Sequence, residues 1–155
     1  VARGPVVMKE YWRDPVRTEG AMSGGWLHTG DLGRCDQDGY YYLMDRARDM
    51  FISGGENVYP AEVERVLKQH PAVGEAAVVG MSDRKWGETG HAFVIISQGL
   101  ETNDQELYEH CRQNLAAYKV PRRISFVEEF PRTPLGKVRK FLLLEQALQA
   151  YMLDD

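Results

Sequence analysis

The chain has few of the residues that staple or metallate small domains. Its 155 residues include two cysteines, Cys35 and Cys111, far apart and in no CxxC pair. Zinc-ribbon and thioredoxin-type sites therefore lack their ligands, and two unpaired thiols point to a reducing, cytoplasmic setting. The histidines, His28, His70, His91 and His110, are scattered, with no HExxH or other metal-ligand spacing, so no protein-held metal is expected. No apolar run approaches the roughly 18 residues of a membrane span, and no transmembrane segment is expected. Neither charge sign dominates: 19 Lys+Arg against 23 Asp+Glu give a net −4. That balance argues against a general nucleic-acid binder. The phosphate-cradling GxxxxGK[ST] loop is also missing. The opening Val1-Ala2-Arg3-Gly4-Pro5 has no signal-peptide pattern and no Met, so the chain is expected to be a piece of a longer protein.

What remains is globular in composition, with 43% hydrophobic and 27% charged residues. That length can bury a core unaided by disulfides. Residues 1–45 read as strands and turns. Val6-Val7-Met8 is a short apolar run, and Asp38-Gly39 before Tyr40-Tyr41-Tyr42-Leu43-Met44 predicts a hairpin. After residue 45 the pattern changes. Pro60 opens a helix with Val63, Val66 and Leu67 on one face, ended by His70-Pro71. Ala76–Val79 and Ala92–Ile96 read as short buried strands, and Ile124–Val127 as another. Asn103 or Asp104 caps a helix carrying Leu107, Cys111 and Leu115. A last helix is expected to bury Phe141, Leu144, Leu148 and Tyr151. Few, short strands among helices predict an α+β layer of helices on a small, mostly antiparallel sheet, preceded by a β-rich segment.

Four loops hold polar residues that packing does not require. In Thr29-Gly30-Asp31 a glycine lets the chain turn, and the carboxylate beside it can accept hydrogen bonds from a diol such as a ribose. An ordinary turn is the alternative. In Asp45–Asp49, Arg46 offers a fixed fork of donors to a phosphate or ribose oxygen, or simply a solvated turn. Ser53-Gly54-Gly55 exposes backbone N–H groups and permits close approach of a ligand. Pro131-Arg132-Thr133-Pro134-Leu135-Gly136-Lys137 presents a lysine from a shaped loop, where it can offset developing negative charge or sit solvated. From Arg112 to Lys140 there are eight basic residues against two acids, which suits a small polyanion or a solvated face.

Taken in order, Gly25-Trp26-Leu27-His28-Thr29-Gly30-Asp31-Leu32, Asp45-Arg46, Ser53–Glu64 and Pro131–Lys137 closely resemble the adenylate-forming enzymes. The resemblance spans nearly the whole chain. The run Gly54-Gly55-Glu56-Asn57-Val58-Tyr59-Pro60 and the segment Asp83–Glu88 are similar to the acyl- and aryl-CoA ligase branch. The resemblance implies that residues 1–45 end a large N-terminal AMP-binding domain and that residues 46–155 are the small C-terminal lid. By the same resemblance Asp31, Arg46, Thr29 and Asn57 meet the nucleotide, Lys137 is the catalytic lysine, and Arg48 is the hinge. Family members often carry Asp or Lys at that hinge. Ser53, Gly54 and Gly55 would line the pantetheine path, with Trp86, Tyr118 and Lys119 near the CoA nucleotide. Ile52, where some relatives place a lysine, is assigned no chemistry.

The implied reaction joins a fatty or aromatic carboxylic acid to CoA through an acyl-adenylate. It uses ATP, releases AMP and pyrophosphate, and takes Mg²⁺ mainly through the ATP phosphates. The missing N-terminal domain would be the partner of this chain, which alone would bind ATP weakly or not at all. Loading of a carrier protein, or a non-catalytic lid acting as an interaction module, are the alternatives. The acyl pocket lies outside the chain, and the oligomeric state is not readable.

Overall fold

A computed structural model describes residues 1–153, with side chains through residue 149. The side chain of Tyr151, expected in the last helix's core stripe, falls outside the described ones. The chain divides into two compact units, Val1–Arg48 and the remainder from Asp49.

The first unit contains an element that sequence reading passed over. Asp14 caps helix α1 (Pro15–Ala21), its carboxylate accepting the Arg17 N–H at 2.9 Å. Asp followed by Pro at the first helical position is a helix start, where strands and turns were expected. Strands β1 (Met22–Ser23) and β2 (Trp26–Leu27) form a small hairpin across Gly24-Gly25. Strands β3 (Asp31–Cys35) and β4 (Tyr41–Arg46) form the hairpin expected around Asp38-Gly39. Its turn is held by the Asp36 carboxylate, which accepts the N–H groups of Tyr40 and Asp38 at 2.9 and 3.0 Å. Those donors, Tyr40 first, hold the Asp36 carboxyl below its usual range. Val6-Val7-Met8 forms no strand, and Val6 is 95% exposed. No residue from 1 to 48 is buried.

The second unit is built on one sheet. Strands β5 (Phe51–Ser53) and β6 (Glu56–Val58) form a hairpin, followed by helix α2 (Pro60–Leu67). Strands β7 (Val73–Asp83) and β8 (Gly87–Ile96) are a long antiparallel pair. Helix α3 (Asp104–Asn114), a 3-10 turn (Ala117–Lys119), strand β9 (Arg123–Phe126) and helix α4 (Lys140–Leu153) complete it. The strand order is β6-β5-β8-β7, with β9 parallel to β8. The expected α+β architecture of helices on a mostly antiparallel sheet is thus observed.

Both faces of β7 and β8 are covered. On one face Ala76, Val78, Ala92 and Val94 pack with Val63, Val66 and Leu67 of α2 and Leu107 and Cys111 of α3. On the other, Ala77, Val79 and Phe93 pack with Leu143 and Ala147 of α4. Burial on two faces explains the unbroken apolar runs.

Two expectations are corrected. The strands are not short: β7 has 11 residues and β8 has 10. Their polar ends, from Ser82 to Glu88, continue the ladder with less burial, so the apolar runs mark only their middles. Among the described side chains of α4, Leu143 and Ala147 are buried, whereas Phe141 and Leu148 are 53% and 46% exposed. The stretch Phe141-Leu142-Leu143-Leu144 is apolar all round, so spacing could not select the packed face. Phe141 instead lies beneath the Arg139 guanidinium at 4.9 Å.

Candidate functional site

Three groups of residues carry the chemistry, one in the first unit and two in the second. In the first unit the β3–β4 register sets Asp31 directly opposite Arg46. Arg46 Nε meets Asp31 Oδ1 at 2.8 Å, with the two side chains 49% and 29% exposed. Thr29 Oγ1 accepts the Asp31 N–H at 3.1 Å, and the Thr29 carbonyl lies 3.5 Å from Arg46 Nη1. Thr29, Asp31 and Arg46 therefore form one cluster that keeps its acceptors and donors open to water. Arg48 closes the unit. Asn57, the fourth expected nucleotide contact, is an exposed residue of β6 in the second unit.

The second group surrounds the β5–β6 turn. Gly54 and Gly55 take φ of +61° and +88°, the left-handed region that glycine enters freely. The Gly54 N–H donates to the Trp86 carbonyl at 2.8 Å, and a Cβ on Gly54 would stand 3.0 Å from the Trp86 ring. Glycine is thus needed twice at this position, for conformation and for contact with the indole. Ser53 is buried, so the turn presents Gly54 and Gly55 rather than the serine hydroxyl. Beneath it, Phe51 fits against two small residues. A Cβ on Gly80 would fall 2.6 Å from Phe51, and one on Gly90 3.4 Å.

Trp86 ends the β7–β8 turn, and two residues given no role in the sequence brace this region. The Asp83 carboxylate accepts the N–H groups of Lys85 and Trp86, each at 2.8 Å. Those bonds, Trp86 first, hold the Asp83 carboxyl below its usual range. Glu88 Oε2 accepts the Ile52 N–H at 3.0 Å, tying β5 to β8 where the backbone ladder is down to one residue pair. The Lys85 ammonium and the Arg122 guanidinium lie 4.9 and 5.5 Å from the indole centroid. An aspartate two and three residues ahead of the groups it caps is a local signal that could have been read. The Glu88–Ile52 bond spans 36 residues and has no local signal.

Tyr118 and Lys119 occupy the 3-10 turn. Tyr118 packs against the helical core, while the Lys119 ammonium contacts both Glu62 oxygens at 2.8 Å. Lys119 therefore carries its charge within the fold.

The third group is the Lys137 loop. Thr133 N–H donates to the Lys137 carbonyl at 2.8 Å, Gly136 N–H to the Thr133 carbonyl at 2.8 Å, and Lys137 N–H to Thr133 Oγ1 at 3.1 Å. Gly136 turns the chain at φ +81°. Of the basic stretch, Lys119, Arg132 and Lys140 are paired with Glu62, Glu75 and Glu64. Lys137 is exposed and in no ion pair among the described residues. Glu64 also accepts the Val78 N–H at 2.8 Å, satisfying an edge group of β7.

Among the described residues no cluster of His, Cys, Asp or Glu could hold a metal ion, and no helix is long and apolar enough to cross a membrane.

Residues 62–137 match the model of the AMP-binding enzyme C-terminal domain. The chain is 47% identical over 146 residues to the long-chain-fatty-acid–CoA ligase FadD13 of Mycobacterium tuberculosis, covering 94% of this chain and 29% of that protein. It is 50% identical over 138 residues to the 2-succinylbenzoate–CoA ligase of Geobacillus kaustophilus, covering 89% of this chain and 28% of the relative. The structure of the Bacillus subtilis o-succinylbenzoate CoA synthetase with its acyl-adenylate superposes with a TM-score of 0.86 at 43% identity. That match covers 91% of this chain and 29% of the other. This chain therefore spans less than a third of the relatives it matches.

Proposed function

We propose, from the premise that residues 62–137 are an AMP-binding enzyme C-terminal domain of the adenylate-forming superfamily, that this chain is the C-terminal part of an ATP-dependent acyl-CoA synthetase acting on a fatty or aromatic acid. The unit that closes at Arg48 ends the large domain, and the residues after it form the lid. The observation that carries the reading is the Lys137 loop. Its backbone is closed on itself, and the lysine it presents is exposed and, among the described residues, in no ion pair.

In the first half-reaction the substrate carboxylate attacks the α-phosphate of ATP. A bond forms from the carboxylate oxygen to that phosphorus, the bond to the β-phosphate oxygen breaks, and pyrophosphate leaves. Charge builds on the phosphate oxygens, and the Lys137 ammonium is suited to offset it from a loop that need not reorganise. A Mg²⁺ carried on the ATP phosphates would supply further charge stabilisation there. The Asp31 carboxylate accepts the ribose hydroxyls, and Arg46, already aligned by Asp31 at 2.8 Å, donates to ribose or phosphate oxygens. Thr29 holds the Asp31 backbone, and Asn57 adds an amide to the nucleotide.

In the second half-reaction the lid turns about Arg48, withdrawing Lys137 and admitting the Ser53–Gly55 turn, a gating step of the kind that serves two chemistries with one lid. The CoA thiolate attacks the acyl carbon, the bond from that carbon to the phosphate oxygen breaks, and AMP leaves. Gly54 lies against the Trp86 ring, and Gly55, with open space where a Cβ would stand, leaves room for a slender pantetheine arm. The indole, flanked by Lys85 and Arg122, offers a face for the CoA adenine and cations for its phosphates. Lys119, engaged by Glu62, supports the turn that presents Tyr118.

The exposed apolar residues of the first unit supply the partner. Tyr41 and Leu43 are 83% and 79% exposed, and the rest of the large domain is the surface that covers them. Two unpaired cysteines, Cys35 exposed and Cys111 buried, suit a reducing cytoplasm.

The test is Lys137→Ala in the complete enzyme. ATP–pyrophosphate exchange should fall by about 10²-fold or more, while thioester formation from supplied acyl-adenylate continues. Unchanged exchange would refute the role. Running the second step with CoA and with a phosphopantetheine carrier protein identifies the acceptor.

A further inference from the structure

We infer that Arg132 and Glu75 are positioning residues that set the reach of Lys137, an inference that rests on the reading of Lys137 above. The loop from Pro131 to Lys137 is anchored at its base. Phe130 is buried in the α4 face of the sheet, and Val138 packs against the same cluster. Arg139 N–H closes the base by donating to the Pro131 carbonyl at 2.8 Å. The tip has no such anchor. Leu135 is 89% exposed, and Pro134 is exposed. With no apolar burial there, polar contacts must hold the tip.

Thr133 closes the tip on itself through its bonds to Gly136 and Lys137, and Arg132 supplies the contacts that tie it to the sheet. Its Nη1 donates to the Gly136 carbonyl at 3.0 Å, on the residue just before Lys137. Its Nη2 lies 2.6 and 2.7 Å from the two Glu75 oxygens. Glu75 belongs to β7, the strand whose far end carries Asp83 and the Trp86 turn. One planar guanidinium thus joins the tip to the sheet, with Phe130 5.8 Å below it. A fork of donors can serve a carboxylate and a carbonyl at once, and a lysine ammonium is a poorer substitute.

The pair is partly exposed, at 36% and 46%. Such pairs contribute little to stability, so its value lies in geometry. Lys137 sits on a flexible four-carbon stem. If the Gly136–Lys137 backbone drifts, the ammonium spends less time against the reacting phosphate. Misplacement on the scale of 1 Å can cost about 10²-fold in rate. The pair acts only while Lys137 is in use, so it should matter to adenylation and not to thioester formation.

The experiment compares Arg132→Gln, Arg132→Lys and Glu75→Ala with Lys137→Ala in the complete enzyme. Both half-reactions are measured, together with the double variant Arg132→Gln/Lys137→Ala. ATP–pyrophosphate exchange at saturating ATP should fall ~10–100-fold in Arg132→Gln and Glu75→Ala. KM for ATP should change little, Arg132→Lys should fall between these variants and the parent, and thioester formation from supplied acyl-adenylate should stay within about twofold. Adding Arg132→Gln to Lys137→Ala should cause no further loss, because the two act through one group. Equal loss in both half-reactions, or an additive loss in the double variant, would show a general structural role and overturn the inference. Exchange lost in Lys137→Ala yet intact in both Arg132→Gln and Glu75→Ala overturns the inference alone. Exchange intact in Lys137→Ala removes the reading of Lys137 and this inference with it.

Discussion

At the scale of single residues, the candidate site divides into groups recognisable from their neighbours in sequence and groups that are not. Thr29-Gly30-Asp31, Gly54-Gly55 and Gly136-Lys137 could be picked out because each is a local turn in which glycine and a polar residue stand together. The partners that fix them, Glu75 for Arg132 and Glu88 for Ile52, lie 57 and 36 residues away in sequence. Pairing across a sheet leaves no trace in local spacing, so these partners were not legible. His91 is another residue whose state only the fold determines. It stacks on Phe93 at 4.5 Å, its Nε2 lies 2.8 Å from Ser125 Oγ, and among the described residues its buried Nδ1 has no partner. Burial first, and then the Arg123 charge, push the imidazole from 6.5 down to about 4. The unfolded chain therefore binds a proton that the folded chain refuses as pH falls from 6.5 toward 4, so this group lowers stability across that window and adds no further change below it. The depression corresponds to about 3 kcal/mol. The stability difference between the parent and His91→Gln, measured by urea unfolding at several pH values, should shift against the parent by that order between pH 7 and 4. A flat difference would mean the imidazole is not held neutral.

At the scale of elements, the structure bears out α2, whose Pro60, Val63, Val66 and Leu67 are buried as one face. It also bears out α3, where the Asn103 side chain accepts the Glu106 N–H at 2.9 Å. Both helices are amphipathic and carry clear start signals, Pro60 in α2 and the Asn103 cap in α3, so periodicity and start signals agree. The sequence misled where one of those signals was missing. Helix α1 has a cap and a proline but no buried residue, so no apolar stripe announced it. Helix α4 has apolar residues on every side, so its stripe had no unique phase. The observed phase makes a sharp prediction. Leu143 is fully buried against β7 and β8, whereas Phe141 is 53% exposed. Leu143→Ala should therefore destabilise the fold by ~2–5 kcal/mol, the usual cost of a cavity at a large-to-small core substitution. Phe141→Ala, though it removes the larger side chain, should cost roughly 1 kcal/mol or less. Equal losses in thermal or urea unfolding would put both residues in the core and reject this phase.

At the scale of the whole molecule, the net charge of −4 says little about function, whereas the distribution of burial says a good deal. All buried residues of the described chain lie beyond residue 50. The segment from Val1 to Arg48 is compact by its own contacts, yet it fully buries none of its large side chains. Trp12, Val16, Tyr41 and Leu43 are 81%, 80%, 83% and 79% exposed. Ordering a residue costs ~1–2 kcal/mol of backbone entropy, and apolar burial is the main term that offsets it. Hairpins such as β1–β2 and β3–β4 are marginal in water without a third layer. Within the 155-residue chain, backbone amides of residues 1–48 should therefore exchange with solvent close to unprotected rates. Those of β7 and β8, buried on both faces, should be protected to nearly the full unfolding free energy of their unit. Hydrogen exchange followed by fragment mass measurement distinguishes these. Joined to the rest of a large domain, the β3–β4 hairpin should gain protection as Tyr41 and Leu43 are covered. Strong protection of β3–β4 in the 155-residue chain alone would mean that the hairpin needs no such cover, and the exposed tyrosine face would no longer argue for a missing domain.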